Sequence, residues 1–268
     1  MFGESLKHLG ETASTNDDAR VWARDGATHG SVVRADSQTR GRGRLGRSWV
    51  SPPDLGLYFS LILRPEIPMA HVSQLTFLAA LACVDAIQET TGLRADVKWP
   101  NDLVLHEKKI GGILCEAANT APANIASANM APLNVAPASI EYSNRVDFVV
   151  VGIGLNLNFC ADDLPHDAKL PASSLNLESG NFQDGDALFK SLMWALQGRY
   201  ERWKNGGWDD LRRDFAQKDI LQNRLVRVQT ETEIFRGRVR GIDTDGVLLV
   251  RSETGLRRVV AGDVKLEE

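Results

Sequence analysis

Residues 38–47, Gln-Thr-Arg-Gly-Arg-Gly-Arg-Leu-Gly-Arg, set four arginines among three glycines directly after a segment that reads as a strand. Neither a core strand nor a helix wants that composition. Glycine lets backbone N–H groups approach a ligand closely, and guanidinium forks grip carboxylate and phosphate oxygens in pairs. The loop therefore suits an anion, although a solvated basic turn and an RNA-binding patch share its composition. Trp49, just beyond it, could stack on a base under either reading.

A second polar cluster surrounds a predicted hairpin. Lys98-Trp99-Pro100-Asn101-Asp102 joins two short strands, and Lys109-Ile110-Gly111-Gly112-Ile113-Leu114-Cys115-Glu116 begins the next. Each lysine taken singly reads as an ordinary exposed charge. Together with Asn101, Asp102 and two glycines that permit close approach, they are denser than a surface hairpin requires. Gly152-Ile153-Gly154-Leu155-Asn156 resembles the start of a dinucleotide fingerprint, but Leu157 stands where the third glycine belongs and no helix is expected to follow. No GxxxxGK[ST] occurs either, so ATP would have to be held without a P-loop.

These residues need elements to position them. Ser14-Thr15-Asn16 can cap a helix over 17–24, and strands are expected at 31–36 and 57–63, the latter half-buried by its alternation. A long internal helix is expected over 71–91, ending at Gly92. Short strands at 95–99, 103–106, 110–117 and 147–155 would make a mixed or antiparallel sheet. Residues 118–144, rich in Ala, Asn, Pro and Ser, read as a flexible insertion. Phe189, Met193, Leu196, Tyr200 and Trp203 form a core-facing helix stripe over 186–205, and a shorter helix over 208–218 follows a Gly206-Gly207 break. From Leu221 the texture changes to short alternating strands at 225–228, 234–242, 247–250 and 256–260, a small β-barrel that should dock on the larger part to bury its core.

The 268 residues carry 31 basic and 35 acidic side chains, a net charge of −4 that argues against a global grip on nucleic acid. The longest apolar run, 77–84, falls short of the ~20 residues of a membrane span. With no recognisable signal peptide, the cytoplasm is the expected compartment. Three widely spaced cysteines fit no disulfide framework or metal motif and are expected to be reduced and mostly buried.

Ser14-Thr15-Asn16, the 38–47 loop, 98–102, 109–116 and 152–156 occur together in that order, and with this set the chain resembles a biotin protein ligase. GRGRxGR followed by KWPND carries most of the specificity. The resemblance covers residues 6–176 through motifs and 221–268 through the small β-region. It implies an α+β fold: a catalytic domain over 1–220 related to class II aminoacyl-tRNA synthetases, with a mixed sheet flanked by helices, and an SH3-like barrel over 221–268. It implies biotin and ATP as substrates with Mg²⁺, and transfer of biotin through biotinyl-5′-AMP to a lysine of a biotin carboxyl carrier domain of a carboxylase.

Carried over by position, Ser14, Thr15, Asn16 and Gln38 would bind the ring end of biotin, with Gly112 and Ile113 lining the pocket. Arg42, Gly43 and Arg44 would close over the carboxylate and α-phosphate, and Lys109 would sit on those same groups. Trp49, Lys98, Asn101 and Asn156 would surround the nucleotide, and Asp102 would contact metal or the acceptor amine. Arg44, Lys109 and Asp102 are thus the expected catalytic residues; the resemblance names no metal ligands. Only thirteen residues precede Ser14, too few for a separate DNA reader, so no operator binding is expected. No membrane partner is expected, and the sequence allows a homodimer. Two rivals remain: a lipoate ligase or octanoyltransferase of the same fold, and a non-enzymatic nucleic-acid-binding module using residues 40–47.

Overall fold

The computed structural model describes residues 1–119, 145–165 and 170–267. Most of the insertion expected at 118–144 lies outside them. The larger sheet has seven strands: β1 (Leu6–Thr12), β2 (Val32–Gln38), β3 (Gly56–Leu63), β4 (Asp96–Lys98), β5 (Asp102–Leu105), β6 (Lys108–Asn119) and β7 (Val146–Asn156). Their order is β1-β2-β3-β7-β6-β5-β4, with β1 and β2 parallel and the other neighbours antiparallel. The expected mixed sheet is present. Strand β1 went unrecognised because it is an edge strand exposed along most of its length, which leaves no apolar alternation to read.

Helix α1 (Thr15–Arg24) starts two residues before the expected segment, and the Ser14 side chain makes no capping bond. Asp17 and Asp18 still lie in its first turn, where the helix dipole favours them. Helix α2 (Val72–Thr91) ends at Gly92 in the left-handed region, φ 73°, as the sequence predicts. After the short α3 (Leu175–Ser179) comes α4 (Gly185–Lys218), interrupted where Gly207 leaves helical geometry at φ 75°. The Gly206-Gly207 break is therefore real. Strand β3 is not half-buried: Leu57 to Leu63 are all buried. Ile62 packs with Ala19, Ala23 and Phe148 under α1, while Phe59, Leu61 and Leu63 join the main core with α2 and α4. Two cores, one on each face, replace the solvent face that alternation suggested.

The C-terminal sheet comprises β8 (Leu225–Gln229), β9 (Ile234–Ile242), β10 (Leu248–Ser252), β11 (Gly255–Val259) and β12 (Asp263–Leu266), antiparallel in the order β11-β10-β9-β8-β12. The short β12 was not anticipated. This sheet docks as expected, and its inward valines belong to the same core as α2. Phe77, 4.6 Å from Phe215 and 5.6 Å from Trp208 between ring centroids, meets the β9–β10 turn. Gly246 at that turn has φ 78°, and a Cβ there would sit 2.4 Å from the Phe77 ring. Trp99, 2% exposed, reaches across to donate from Nε1 to the Gly246 carbonyl at 3.0 Å.

Counted as a helix rather than as an uninterrupted apolar run, residues Met69–Thr91 are long and apolar enough to cross a bilayer by length and composition. About two-thirds of that window is buried between the sheet and α4, which accounts for its composition as that of a core helix. All three cysteines are free; Cys83 is buried, Cys115 partly so, and Cys160 exposed.

Asp219, at the end of α4, ties the segment after β4 to the segment that leads into β8. Its Oδ1 accepts from the backbone N–H of Leu221 at 3.1 Å and of Trp99 at 3.4 Å. Burial pushes its carboxyl up to about 6, against the pull of those donors and of Lys98. Because the folded value exceeds the unfolded one, the stability gained from protonation is complete below the unfolded carboxyl value and is lost as pH rises through about 6. Asp219→Asn keeps an acceptor oxygen without the charge. It should melt above the parent at pH 7.5, by the equivalent of at most about 3 kcal/mol, with the gap closing by about pH 4; thermal melts across that range provide the check.

Candidate active site

One cavity of about 500 Å³ opens between the larger sheet, the 38–47 loop and β12, and all fifteen residues assigned from sequence line it. Its two ends differ in chemistry. At the neutral end, Thr15 and Asn16 begin α1 facing β3, where Ser60 Oγ donates to Asn16 Oδ1 at 2.6 Å and lies 2.8 Å from Thr15 Oγ1. Thr15 N–H donates to Gln38 Oε1 at 2.9 Å, and Gln38 Nε2 donates to Ser51 Oγ at 2.9 Å. A chain of neutral donors and acceptors with fixed orientations is what a small, uncharged polar ring would need.

Glycine makes this packing possible. A Cβ at Gly152 would stand 2.1 Å from Asn16 Oδ1, and one at Gly154 would stand 2.5 Å from Trp49 Nε1. Glycines in the 152–156 segment thus leave room for an asparagine and an indole against β7, not for a pyrophosphate. Trp49 closes part of the cavity, and its buried Nε1 has no hydrogen-bond partner among the described residues.

Cations gather at the other end. Lys109 Nζ pairs with Asp102 and lies 5.4 Å from the centroid of the Trp49 ring. Burial lowers the Lys98 ammonium from its ordinary value, and Asp102 partly offsets this. Burial likewise lowers the Arg44 guanidinium, again with Asp102 opposing. Arg44 Nη1 is 3.4 Å from Asn101 Oδ1, and Asn101 in turn donates from Nδ2 to the Ile113 carbonyl at 2.7 Å. Two lysines and an arginine gather around Asp102, with Asp263 and Asp219 farther off also acting on Lys98, so cations cluster where an incoming anion could bind.

Two residues behave differently from expectation. Arg42, assigned to the anion, donates to Asp17 Oδ1 at 2.9 Å and Glu116 Oε2 at 2.7 Å, so carboxylates already hold its charge here. Glu116 also accepts from Asn16 Nδ2 at 2.8 Å and Arg20 at 2.9 Å, which ties the 38–47 loop to α1. Asn156, assigned to the nucleotide, donates its amide to the Ser173 carbonyl at 2.9 Å, and Ser173 N–H donates to the Lys109 carbonyl at 2.9 Å. In this geometry Asn156 braces the Lys109 backbone.

Reading from sequence missed Ser60, the role of Glu116, and the cavity residues Asp263 and Lys265 of β12. Ser60 had one signal, a lone serine among the large hydrophobic side chains of β3. Asp263 had none; it reaches the site through an ion pair with Arg47 at 2.8 Å. Among the described residues, no group of three His, Cys, Asp or Glu side chains could hold a metal.

Gly154→Ala must push Trp49 out of place, because the atoms its Cβ would meet belong to a rigid ring. The expected outcome is a chain that still folds, with a change in indole emission and a loss of about 1–3 kcal/mol in denaturant unfolding. Unaltered emission and stability would show that the contact is dispensable.

Comparison with known proteins bears on the chemistry. Residues 11–130 match the Biotin/lipoate A/B protein ligase family, and residues 223–266 match the Biotin protein ligase C terminal domain. The first match is shared by biotin and lipoate enzymes; the second is named for biotin ligases alone. The chain is 32% identical over 266 residues to the bifunctional ligase/repressor BirA of Bacillus spizizenii, covering 99% of this chain and 75% of that protein. It is 30% identical over 259 residues to the biotin--[acetyl-CoA-carboxylase] ligase of Paracoccus denitrificans, covering 96% of this chain and 98% of that one. Among solved structures, a biotin protein ligase from Aquifex aeolicus in complex with biotin and ATP superposes with a TM-score of 0.76 at 26% identity, covering 99% of each chain. With the cavity, the motifs and these relatives in agreement, the chain belongs to the biotin protein ligase family and is a ligase that attaches biotin to protein.

Proposed function

We propose that this ligase activates biotin as biotinyl-5′-AMP and passes it to one lysine of a biotin carboxyl carrier domain. The observation that carries this reading is the polarity of the cavity, neutral hydrogen-bonding groups at one end and clustered cations at the other. The ring of biotin belongs at the Ser14, Thr15, Asn16 and Gln38 end, beside Gly112 and Ile113. Its carboxylate then meets Lys109, and ATP lies towards Arg44, Lys98 and Asn101, against Trp49.

The carboxylate attacks the α-phosphorus and pyrophosphate departs. Lys109, Lys98 and Arg44 stabilise the negative charge that builds on phosphate, in a site already partly stripped of water. Asp102 holds Lys109 in position first; it becomes available to the acceptor amine once Lys109 turns to the substrate. That amine must be neutral to attack the acyl carbon and release AMP. Arg42, Gly43 and Arg44 belong to a loop that shields the anhydride from hydrolysis. Opening the Arg42 pairs with Asp17 and Glu116 would free its guanidinium for phosphate. The side chains of the described residues do not build a metal cage, so no step here is assigned to Mg²⁺.

In the same reading, residues 1–220 form a synthetase-like catalytic unit and residues 221–268 an SH3-like barrel, a division supported by the family match that begins at 223. The proposed compartment is the cytoplasm, which supplies ATP and carboxylases. Labelled biotin, ATP and a carrier domain should give label on the carrier, and ATP–pyrophosphate exchange should depend on biotin. Exchange that responds to lipoate instead would favour a lipoate ligase.

Two variants test the assignments. Arg44→Ala should release the adenylate about 10- to 100-fold faster, as loss of a charge-assisted bond worth ~1.5–3 kcal/mol implies; an unchanged dissociation rate would remove Arg44 from the site. Lys109→Gln should slow single-turnover adenylation by about 10²- to 10³-fold while the melting temperature barely moves. A large fall in stability with adenylation intact would make Lys109 structural.

A further inference from the structure

The outer face of the C-terminal sheet stacks basic side chains against one another. In the antiparallel register Lys265 of β12 stands opposite Arg227 of β8, and Arg227 stands opposite Arg236 of β9. One row on, Arg238 of β9 stands opposite Arg251 of β10. All five are exposed, and the alternating Val226, Val228, Val239 and Val250 fill the core on the other face. Like charges directly opposite each other weaken a sheet, so this arrangement costs the fold stability. Arg236 is offset by Glu267 at 2.9 Å, and Arg238 donates to the Asn223 carbonyl at 2.6 Å. Arg227, Arg251 and Lys265 have no ion-pair partner among the described residues.

Two further features say what the face would take. It begins at the cavity, since Lys265 lines the site together with Asp263 of the same strand. Apolar side chains are set among the cations: Leu225 opposite Arg238 is 38% exposed, and Leu256 opposite Arg251 is 50% exposed. Arginine mixed with exposed leucine matches a protein interface, whereas a phosphate backbone has no use for leucine.

Resting on the ligase reading above, we propose that this face docks the protein acceptor, through an acidic surface beside its target lysine. Such a partner lies over β8, β9 and β10 and delivers its lysine past Lys265 into the cavity. Its carboxylates neutralise the opposed arginines, and opposite charge speeds the encounter.

The test uses the whole protein with a recombinant biotin carboxyl carrier domain bearing carboxylates near its lysine. In Arg227→Glu/Arg251→Glu, biotin-dependent pyrophosphate exchange should stay at the parent level. The KM for the carrier should rise about tenfold or more at low salt, and the gap should narrow as salt is added. Arg227→Gln/Arg251→Gln, which only removes the opposed charges, should fall between the two and guards against misfolding of the charge reversal. Normal exchange with unaltered carrier kinetics in both variants overturns the docking proposal alone. The same kinetics, with wild type binding a short DNA duplex in anisotropy and the variants failing to bind, would reassign the face to nucleic acid. Absence of biotin-dependent exchange in the parent overturns the ligase reading and the docking with it.

Discussion

The site depends on how closely the β7 backbone can be approached. Asn16 and Trp49 occupy space that side chains at 152 and 154 would fill, with clearances of 2.1 and 2.5 Å to the missing Cβ atoms. Asn16 thereby reaches Ser60 and Glu116, so the start of α1 is stitched to β3 and β6 at once. Trp49 comes to rest beside Lys109 and forms part of the cavity wall. Larger residues at those two positions would separate the loop, the helix and the sheet that together make the pocket.

Electrostatics then decides which groups are ready to act. Asp102 faces Lys98, Lys109 and Arg44, and burial strains the charged form of both Lys98 and Arg44. An anion bound there would relieve that strain, and under the proposed function this is where negative charge develops. Arg42 is different because Asp17 and Glu116 already hold it. Its pairs connect the glycine–arginine loop to α1, and they would have to open before the residue could serve a phosphate.

The C-terminal sheet belongs to the machinery as well as to the scaffold. Trp99 sits in the same short segment as Lys98 and Asn101 yet hydrogen-bonds the Gly246 carbonyl of the β9–β10 turn. Asp219 fixes the Trp99 backbone from the end of α4, and Asp263 holds Arg47 of the loop. The contacts at Gly246 and Asp263 link cavity segments to the second sheet, so displacement of that sheet would disturb the cationic end of the cavity before the neutral end.

The order of motifs, the long buried helix with its Gly92 stop, the Gly206-Gly207 break and four of the five C-terminal strands were legible in the sequence, because each rests on local spacing or on a glycine's conformational freedom. Fifteen of the cavity-lining residues were legible too, through motifs whose polar residues have no use in a core. What only the tertiary structure decided depends on distant partners. β1 is an exposed edge with no local pattern, and β3 is buried on both faces because helices pack on each side of the sheet. Likewise, Arg42 is held by carboxylates 25 and 74 residues away in the chain, and Asp263 reaches Arg47 over 216 residues. Spacing along a chain encodes periodicity and turns; which charges meet across such separations is set by the packing of the sheets.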